Sequence, residues 1–253
     1  MSHNKNEIKE LFGGPYDNSN TINKEGYALN SFYTYPTDGL LQEDDFIKDQ
    51  AGNLVPKDGV VIFDGQKPGD IHYLDTNGDD KITADDRVIR GDDQPKLNYF
   101  ANVTLNWKKW SFEVLFQGVS GVDAYYSQPY SFGLDLTGDG FTPLAVQTDY
   151  WTPENTDARY PRLAPNATYG NNAHQSDFWH FDAGYCRVKY MQLGYTFDQM
   201  GLKRIGISSI RLYVNAQNPL TFSKEDLVDP ESRGQLGAYP LVKTYSFGVN
   251  VNF

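Results

Sequence analysis

Hydrophobic and polar residues alternate in several stretches of this chain. Between residues 97 and 107 the odd positions are mostly apolar and the even positions mostly polar, and residues 110–117 alternate in the same way. A period of two is typical of a β-strand whose two faces meet different surroundings. Only Lys108 and Lys109 separate the two stretches, so we predict an antiparallel hairpin.

Further alternating stretches follow later in the chain. They are residues 186–197, 210–217 and 245–253, with a weaker candidate at 27–35. In the first of these the apolar phase shifts near Met191 and Gln192, which predicts a β-bulge there. The pattern therefore predicts about six antiparallel strands.

These strands are long, and long polar segments separate them. A tilted strand that crosses a bilayer needs about 9–11 residues, whereas strands of soluble domains average about 5–6. The intervening segments 36–95, 120–182 and 219–242 exceed the loops of compact soluble domains. Pattern alone leaves two architectures open: a soluble antiparallel sandwich and a transmembrane β-barrel. The terminal strand ends on Phe253, an aggregation hazard for a soluble edge strand, and this favours the barrel.

The charge balance excludes one class of partner. Lys and Arg number 22 against 33 Asp and Glu, for a formal net charge of -11. Because phosphate binding needs a basic surface, we expect no nucleic-acid partner. The single cysteine, Cys186, excludes an internal disulfide. Mean hydropathy is low at -0.58, but barrel strands that alternate between lipid and lumen do not raise this average.

Residues 75–86 read DTNGDDKITADD, which is similar to a calcium-binding loop. In such loops positions 1, 3 and 5 supply side-chain oxygens, position 7 a backbone carbonyl and position 12 a carboxylate. These positions are occupied by Asp75, Asn77, Asp79, Lys81 and Asp86. We therefore predict these five residues as ligands of a structural Ca²⁺ ion that orders a long loop.

The match to a calcium loop is incomplete at two positions. Asp80 stands where a glycine is usual, and position 12 is the shorter Asp86 rather than Glu. The alternative is an acidic turn that is held by hydrogen bonds from side chains to its own backbone.

Tyr125, Tyr126 and Tyr130 lie in the long segment 120–182 and are predicted as possible ligand-contacting aromatics. The alternative for them is packing within the loop or an interfacial aromatic girdle. His174 and His180 are six residues apart, which suits solvated or hydrogen-bonded side chains rather than a zinc pair. No G-x-S-x-G element or recognisable carboxylate pair is present, so we predict no catalytic residues and no enzymatic activity.

Five sequence blocks carry a resemblance to a known family. In chain order they are GDIHYLDTNGDDKITADDRVIRG, YWTPENTDARYPRL, SDFWHFDAGYCRVKYMQLGYTF, RLYVNAQNPLTFSK and TYSFGVNVNF, spanning about residues 69–253. Together they resemble the C-terminal part of SusC/RagA-type TonB-dependent outer-membrane transporters of Bacteroidetes. Each block alone is weak, but their shared order is specific.

The resemblance implies an all-β fold in which residues 1–253 form the C-terminal portion of a transmembrane β-barrel with long extracellular loops. It further implies an outer-membrane location and the import of oligosaccharides or other nutrients, with glycans or peptides as substrates. A SusD-like surface lipoprotein and TonB are the implied partners, TonB acting through an N-terminal region that the chain lacks. We expect the signal peptide, N-terminal domain and plug to be absent. The alternative is a soluble all-β calcium- and carbohydrate-binding module.

Overall fold

The computed structural model describes residues 1–126, 148–163, 170–198, 206–235 and 238–253. Within these ranges the regular structure consists of β-strands and short 3-10 helices, among them Glu43–Asp45, Ala84–Asp86, Asp177–Trp179 and Pro230–Ser232. The strands are β1 (Ser2–His3), β2 (Tyr16–Asp17), β3 (Thr21–Asn23), β4 (Ser31–Thr34), β5 (Thr37–Leu40), β6 (Phe46–Lys48), β7 (Leu54–Pro56), β8 (Ile71–Tyr73), β9 (Val88–Ile89), β10 (Leu97–Trp107), β11 (Trp110–Ser120), β12 (Asp123–Tyr125), β13 (His180–Asp182), β14 (Tyr185–Phe197), β15 (Ser209–Ser223) and β16 (Thr244–Asn252). The predicted all-β, antiparallel fold is confirmed.

One large antiparallel sheet dominates the fold. Its strand order is β1-β10-β11-β14-β15-β16. We call its five long strands, β10, β11, β14, β15 and β16, the wall. The predicted hairpin is confirmed, since Trp107 lies opposite Trp110 and only Lys108 and Lys109 connect them.

The weaker strand candidate at residues 27–35 is confirmed only in part. Only Ser31–Thr34 form a strand there, and this strand belongs to a separate sheet of order β2-β3-β4-β9. At four residues it is far shorter than the wall strands, and Ser31 and Thr34 are buried within the polypeptide. The sixth strand of the large sheet is instead the short β1, at the edge of β10.

The bulge in β14 lies slightly earlier than predicted. The consecutive residues Leu115 and Phe116 of β11 pair with Tyr190 and Val188, so the extra residue of β14 is Lys189 rather than Met191 or Gln192. The shift returns Met191 to the apolar face, opposite Ala216. The bulge thus preserves the two faces of the wall along the whole strand.

Strand β15 is longer than the predicted 210–217 and continues to Ser223. Asn218 has a positive φ of 49° and precedes the buried Pro219. Asparagine tolerates this left-handed conformation better than most residues, and the local irregularity accommodates a proline that cannot donate a ladder hydrogen bond. The connection that was expected to begin at residue 219 therefore begins after Ser223.

A hydrophobic core lies outside the wall, in the segments that precede or connect its strands at one end. We call the described residues of 4–96, 121–184 and 224–243 the loop cap. The buried cluster within it consists of Ile71, Tyr73, Ile82, Tyr126, Tyr160 and Trp179. The loop cap is therefore a packed layer rather than a set of independent loops.

Candidate functional site

One face of the wall is apolar across all five strands. The cross-strand register places Leu105, Phe112, Leu193, Val214 and Phe247 in a single row on this face. Half or more of the Val214 and Phe247 side chains is exposed, at 50% and 67%. A continuous apolar surface of this kind is typical of a face that meets lipid or another apolar partner.

The opposite face is polar in the same register. The neighbouring row consists of Thr104, Glu113, Gln192, Asn215 and Ser246. A separate cavity of about 460 Å³ lies beside β1 and involves His3, Lys5 and Lys96. On the polar face itself a shallower cavity of about 300 Å³ is lined in part by Glu113 and Arg211. The wall thus has one apolar and one polar face.

The two ends of the wall differ in the length of their connections. Because the strands are antiparallel, the turn Lys108–Lys109, the last residue of β14 (Phe197), the first residue of β15 (Ser209) and the end of β16 share one end. The much longer segments of the loop cap all lie at the other end. Short turns at one end and long loops at the other are characteristic of outer-membrane barrels.

Aromatic side chains mark the short-turn end of the apolar face. Trp107 lies opposite Trp110, and Trp110 lies opposite Tyr195. The ring centroids of Trp110 and Tyr195 are 4.8 Å apart, and those of Tyr195 and Phe197 are 4.7 Å apart. Tryptophan and tyrosine rings prefer the interface between hydrocarbon and water because they combine an apolar body with a polar group.

The predicted calcium loop is organised by hydrogen bonds within the turn. Asp75 Oδ1 accepts from the backbone N–H of Gly78 at 2.7 Å, and Asp75 Oδ2 from that of Asp80 at 2.8 Å. Asp80 has a φ of 61°, the left-handed conformation that explains the usual glycine at this position. Asn77 and Asp79 accept in the same way from the amides two residues later, at 2.9 and 3.0 Å.

Asp86 is fully buried and serves a different part of the turn. Its two carboxylate oxygens accept from the backbone N–H groups of Thr76 at 2.8 Å and Thr83 at 2.7 Å. Burial alone would raise the pKa of the Asp86 carboxyl, but the hydrogen bonds from Thr83 and Thr76 outweigh it and lower the pKa.

The carboxylates of this segment do not gather into a metal cage. Among the residues that the structure describes, no cluster of three or more His, Cys, Asp or Glu side chains has the arrangement of a metal site. The hydrogen bonds that Asp75, Asp79 and Asp86 accept from backbone amides are those expected of an acidic turn, and they leave further carboxylate lone pairs unused. The calcium ligands stay a prediction.

The three predicted ligand-contacting tyrosines have different surroundings. Tyr126 is buried, packs on Phe181 with ring centroids 4.7 Å apart, and donates a hydrogen bond from its hydroxyl to Glu225 at 2.6 Å. These contacts favour the packing alternative for Tyr126. Tyr125 is partly buried, and Tyr130 lies outside the described residues. A ligand role for Tyr125 and Tyr130 stays a prediction.

His180 is neither solvated nor hydrogen-bonded, contrary to expectation. Its ring lies edge-on to Phe32 and Tyr125, with centroids 4.6 and 5.1 Å apart, and its two buried ring nitrogens have no hydrogen-bond partner. Burial, with a smaller contribution from the positive charge of Arg90, lowers the pKa of His180 to about 4. His174 also packs in the cap, stacked on Phe63 at 4.2 Å.

An ion-pair network that was not predicted from the sequence joins the wall to the loop cap. Arg187 and Lys189 in β14 meet Asp229 and Glu231, which flank the start of the 3-10 helix Pro230–Ser232. Both pairs have the spacing i, i+2, with the basic pair in a strand and the acidic pair in a connecting segment. The matching i, i+2 spacing of the basic and acidic pairs is the sequence signal that could have suggested this network.

In the described part of the chain, no helix is long and apolar enough to cross a membrane.

No family model matches the chain. Three curated proteins are similar to it in sequence. The TonB-dependent receptor P3 of Formosa agariphila is 27% identical over 279 aligned residues, covering 100% of this chain and 26% of that receptor. The TonB-dependent receptor P26 of the same organism is 32% identical over 214 residues, covering 78% of this chain and 21% of that receptor. The TonB-dependent receptor SusC of Bacteroides thetaiotaomicron is 25% identical over 272 residues, covering 100% and 24%.

Solved structures agree with the sequence matches at the level of the fold. The structure of the RagAB peptide transporter matches with a TM-score of 0.70 and 22% identity, covering 98% of this chain and 25% of that chain. The RagAB peptide importer in its open-open state gives a TM-score of 0.67 over the same coverage. The chain thus spans about a quarter of the length of the proteins that it matches.

Proposed function

Since the chain is a segment of a SusC/RagA-type TonB-dependent receptor, we propose that it forms the C-terminal part of the barrel wall of an outer-membrane importer. The observation that carries this proposal is the two-faced wall. Its apolar row, from Leu105 to Phe247, faces the membrane lipid, and its polar row, from Thr104 to Ser246, faces the barrel lumen.

The loop cap lies on the extracellular side, and the turn Lys108–Lys109 on the periplasmic side. Long loops of bacterial outer-membrane barrels face outward and short turns face the periplasm, which supports this orientation. A SusD-like surface lipoprotein binds over the cap and delivers substrate to the lumen. The packed core around Tyr73 and Trp179 gives the cap a defined shape, as a docking platform requires.

The imported substrates are oligosaccharides or peptides, and TonB provides the energy through a region outside this segment. The polar residues that line this part of the lumen are mainly amides and hydroxyls, such as Gln192, Asn215 and Ser246. Such groups exchange hydrogen bonds with hydrated solutes without holding them through strong charge pairs. The segment has a transport role and no catalytic one.

Complementation tests the proposal directly. A strain that lacks the complete receptor should lose uptake of a labelled oligosaccharide or peptide, and the restored gene should regain it only when TonB is functional. The receptor should fractionate with the outer membrane and require detergent for extraction. Recovery in the aqueous fraction, or uptake that is independent of TonB, would contradict the proposal.

The soluble calcium- and carbohydrate-binding module makes the opposite prediction for extraction. It requires the apolar face of the wall to be covered by protein, whereas Phe247 and Tyr245 are 67% and 69% exposed. A monomer that unfolds cooperatively in aqueous buffer without detergent would favour the module over the importer.

A further inference from the structure

The hairpin turn between β10 and β11 places a lysine in an unfavourable backbone conformation. Lys108 has a φ of 55°, in the left-handed region where glycine or asparagine is the usual residue. A two-residue turn gains nothing in folding from a lysine at this position, and the strain costs on the order of 1 kcal/mol. The conformation of the turn therefore does not explain why position 108 is a lysine.

The ammonium of Lys108 lies on the apolar side of the wall. Its Nζ is 4.9 Å from the centroid of the Trp107 ring, and Trp107 belongs to the apolar face, opposite Trp110. The Trp107 side chain is 66% exposed. A cation held over an indole ring in this way projects its charge just beyond the apolar band.

The two lysines of the turn differ in their partners. Lys109 forms an ion pair with Asp198, at the start of the connection between β14 and β15. Lys108 belongs to none of the ion pairs of the described residues, and its contact is the Trp107 ring. Among the described residues of this chain, whose net charge is -11, the Lys108 ammonium at this end of the apolar face thus has no ion-pair partner.

We propose that Lys108 and Trp107 form a binding corner for the phosphate of an anionic glycerophospholipid at the periplasmic edge of the membrane. The indole ring lies at the level of the lipid carbonyls, and the ammonium pairs with the headgroup phosphate above it. The occupant is a lipid rather than free phosphate because the corner is continuous with the apolar face, which accommodates the acyl chains. This inference rests on the proposed function, which places that face in the membrane.

Fluorescence quenching by brominated lipids measures the interaction at Trp107 itself. The complete receptor is reconstituted in phosphatidylcholine nanodiscs that contain small fractions of brominated phosphatidylglycerol or brominated phosphatidylcholine. Subtracting the signal of W107F isolates Trp107 from the other tryptophans. We expect brominated phosphatidylglycerol to associate with Trp107 about fivefold more strongly, since one basic residue near an anionic surface contributes ~1 kcal/mol and ~1.4 kcal/mol is a factor of ten.

Two variants of Lys108 and one matched control test the assignment. K108Q should reduce the preference for the anionic lipid to about one, and K108G should do the same while relieving the backbone strain, so that loss of folding does not explain the result. K109Q, at the adjacent but ion-paired lysine, should retain the preference. An unchanged preference in K108G, or an equal loss in K109Q, would overturn the proposal.

Inorganic phosphate separates the two sources of the anion. Addition of about 10 mM inorganic phosphate should leave the quenching of Trp107 by brominated phosphatidylglycerol unchanged. Displacement of the lipid by phosphate would overturn the headgroup assignment in favour of a free-phosphate site. Failure of the proposed function looks different: neither brominated lipid would then quench Trp107.

Discussion

Arg187 Nη2 lies 2.8 Å from Asp229 Oδ1, joining β14 to a connecting segment 42 residues later, and the Arg187 side chain is only 2% exposed. The same guanidinium donates through Nε to Thr221 at 2.9 Å and lies 3.0 Å from Glu231. The network therefore anchors the connection between β15 and β16 to the wall.

Replacing Arg187 by methionine should release this connection. The substitution leaves Asp229 without its cation and Glu231 with Lys189 alone, and removing one partner of a buried pair costs about 3–5 kcal/mol. Amide hydrogen exchange in residues 225–235 of the complete receptor should accelerate by two orders of magnitude or more, because each ~1.4 kcal/mol of lost stability increases the exchange rate about tenfold.

An exposed ion pair in the same cap is the matched control. Lys224 lies 3.1 Å from Asp182, but its side chain is 81% exposed. Lys224→Met should change exchange by less than about fivefold, since exposed pairs contribute ~0–1 kcal/mol. Equal acceleration in the two variants would contradict an anchoring role for Arg187.

Two adjacent residues of β15 test the assignment of the two faces. Val214 belongs to the apolar row and Asn215 to the polar row. Val214→Arg should reduce the amount of folded receptor in the outer membrane, because an arginine on the lipid face costs about 2–4 kcal/mol near the bilayer midplane. Asn215→Arg should assemble normally, as measured by heat-modifiable gel mobility in outer-membrane fractions. If Asn215→Arg failed to assemble and Val214→Arg assembled normally, the face of the polar row would instead be the one that meets lipid.

The buried His180 predicts a loss of cap stability in acid. Its folded-state pKa is about 4, below the ordinary value of 6.5, so the unfolded cap binds the proton more readily. Stability is therefore constant above pH 6.5 and falls between pH 6.5 and 4, by up to about 3 kcal/mol at 1.36 kcal/mol per pH unit. Hydrogen exchange of residues 177–182 as a function of pH measures this effect.

His180→Phe should remove most of that pH dependence. Phenylalanine keeps a ring between Phe32 and Tyr125, and no hydrogen bond of the imidazole is lost. His3→Gln, at an exposed position of β1, should leave the profile unchanged. A wild-type profile in the phenylalanine variant would assign the acid sensitivity to another group.

Calcium at residues 75–86 remains a distinct, testable prediction. If calcium orders the loop, its chelation should increase cleavage by an added protease within this segment and leave substrate uptake unchanged. Asp75→Ala should abolish the protection, and Asp85→Asn, outside the predicted ligand positions, should retain it. Unchanged cleavage after chelation would instead establish the turn as held by the Asp75 and Asp86 hydrogen bonds alone.

The alternation of apolar and polar residues predicted the wall strands correctly because a period of two depends only on the sequence of each strand. The hairpin at Lys108–Lys109 and the phase shift in β14 both followed from a few neighbouring residues, although the bulge lies at Lys189. The core of the cap has no such periodicity. It joins Tyr73 to Trp179 across more than a hundred residues of irregular sequence, and only tertiary contacts define it. The same holds for the contact of Arg187 with Asp229: the i, i+2 spacing of the basic and the acidic pair is visible in the sequence, but only the folded chain shows that the two pairs meet.

The cap core also implies an order of assembly. Ile71 and Tyr73 precede β10, Tyr126 follows β11, and Trp179 precedes β14, so the cap core joins segments at the ends of three strands of the wall. Contacts between residues so distant in sequence form late, because the entropy of closing the intervening chain must first be offset by strand pairing. We therefore expect the loop cap to close last, on a wall whose strands are already paired, and strands that pair in the wrong register would leave the core of the cap open to solvent.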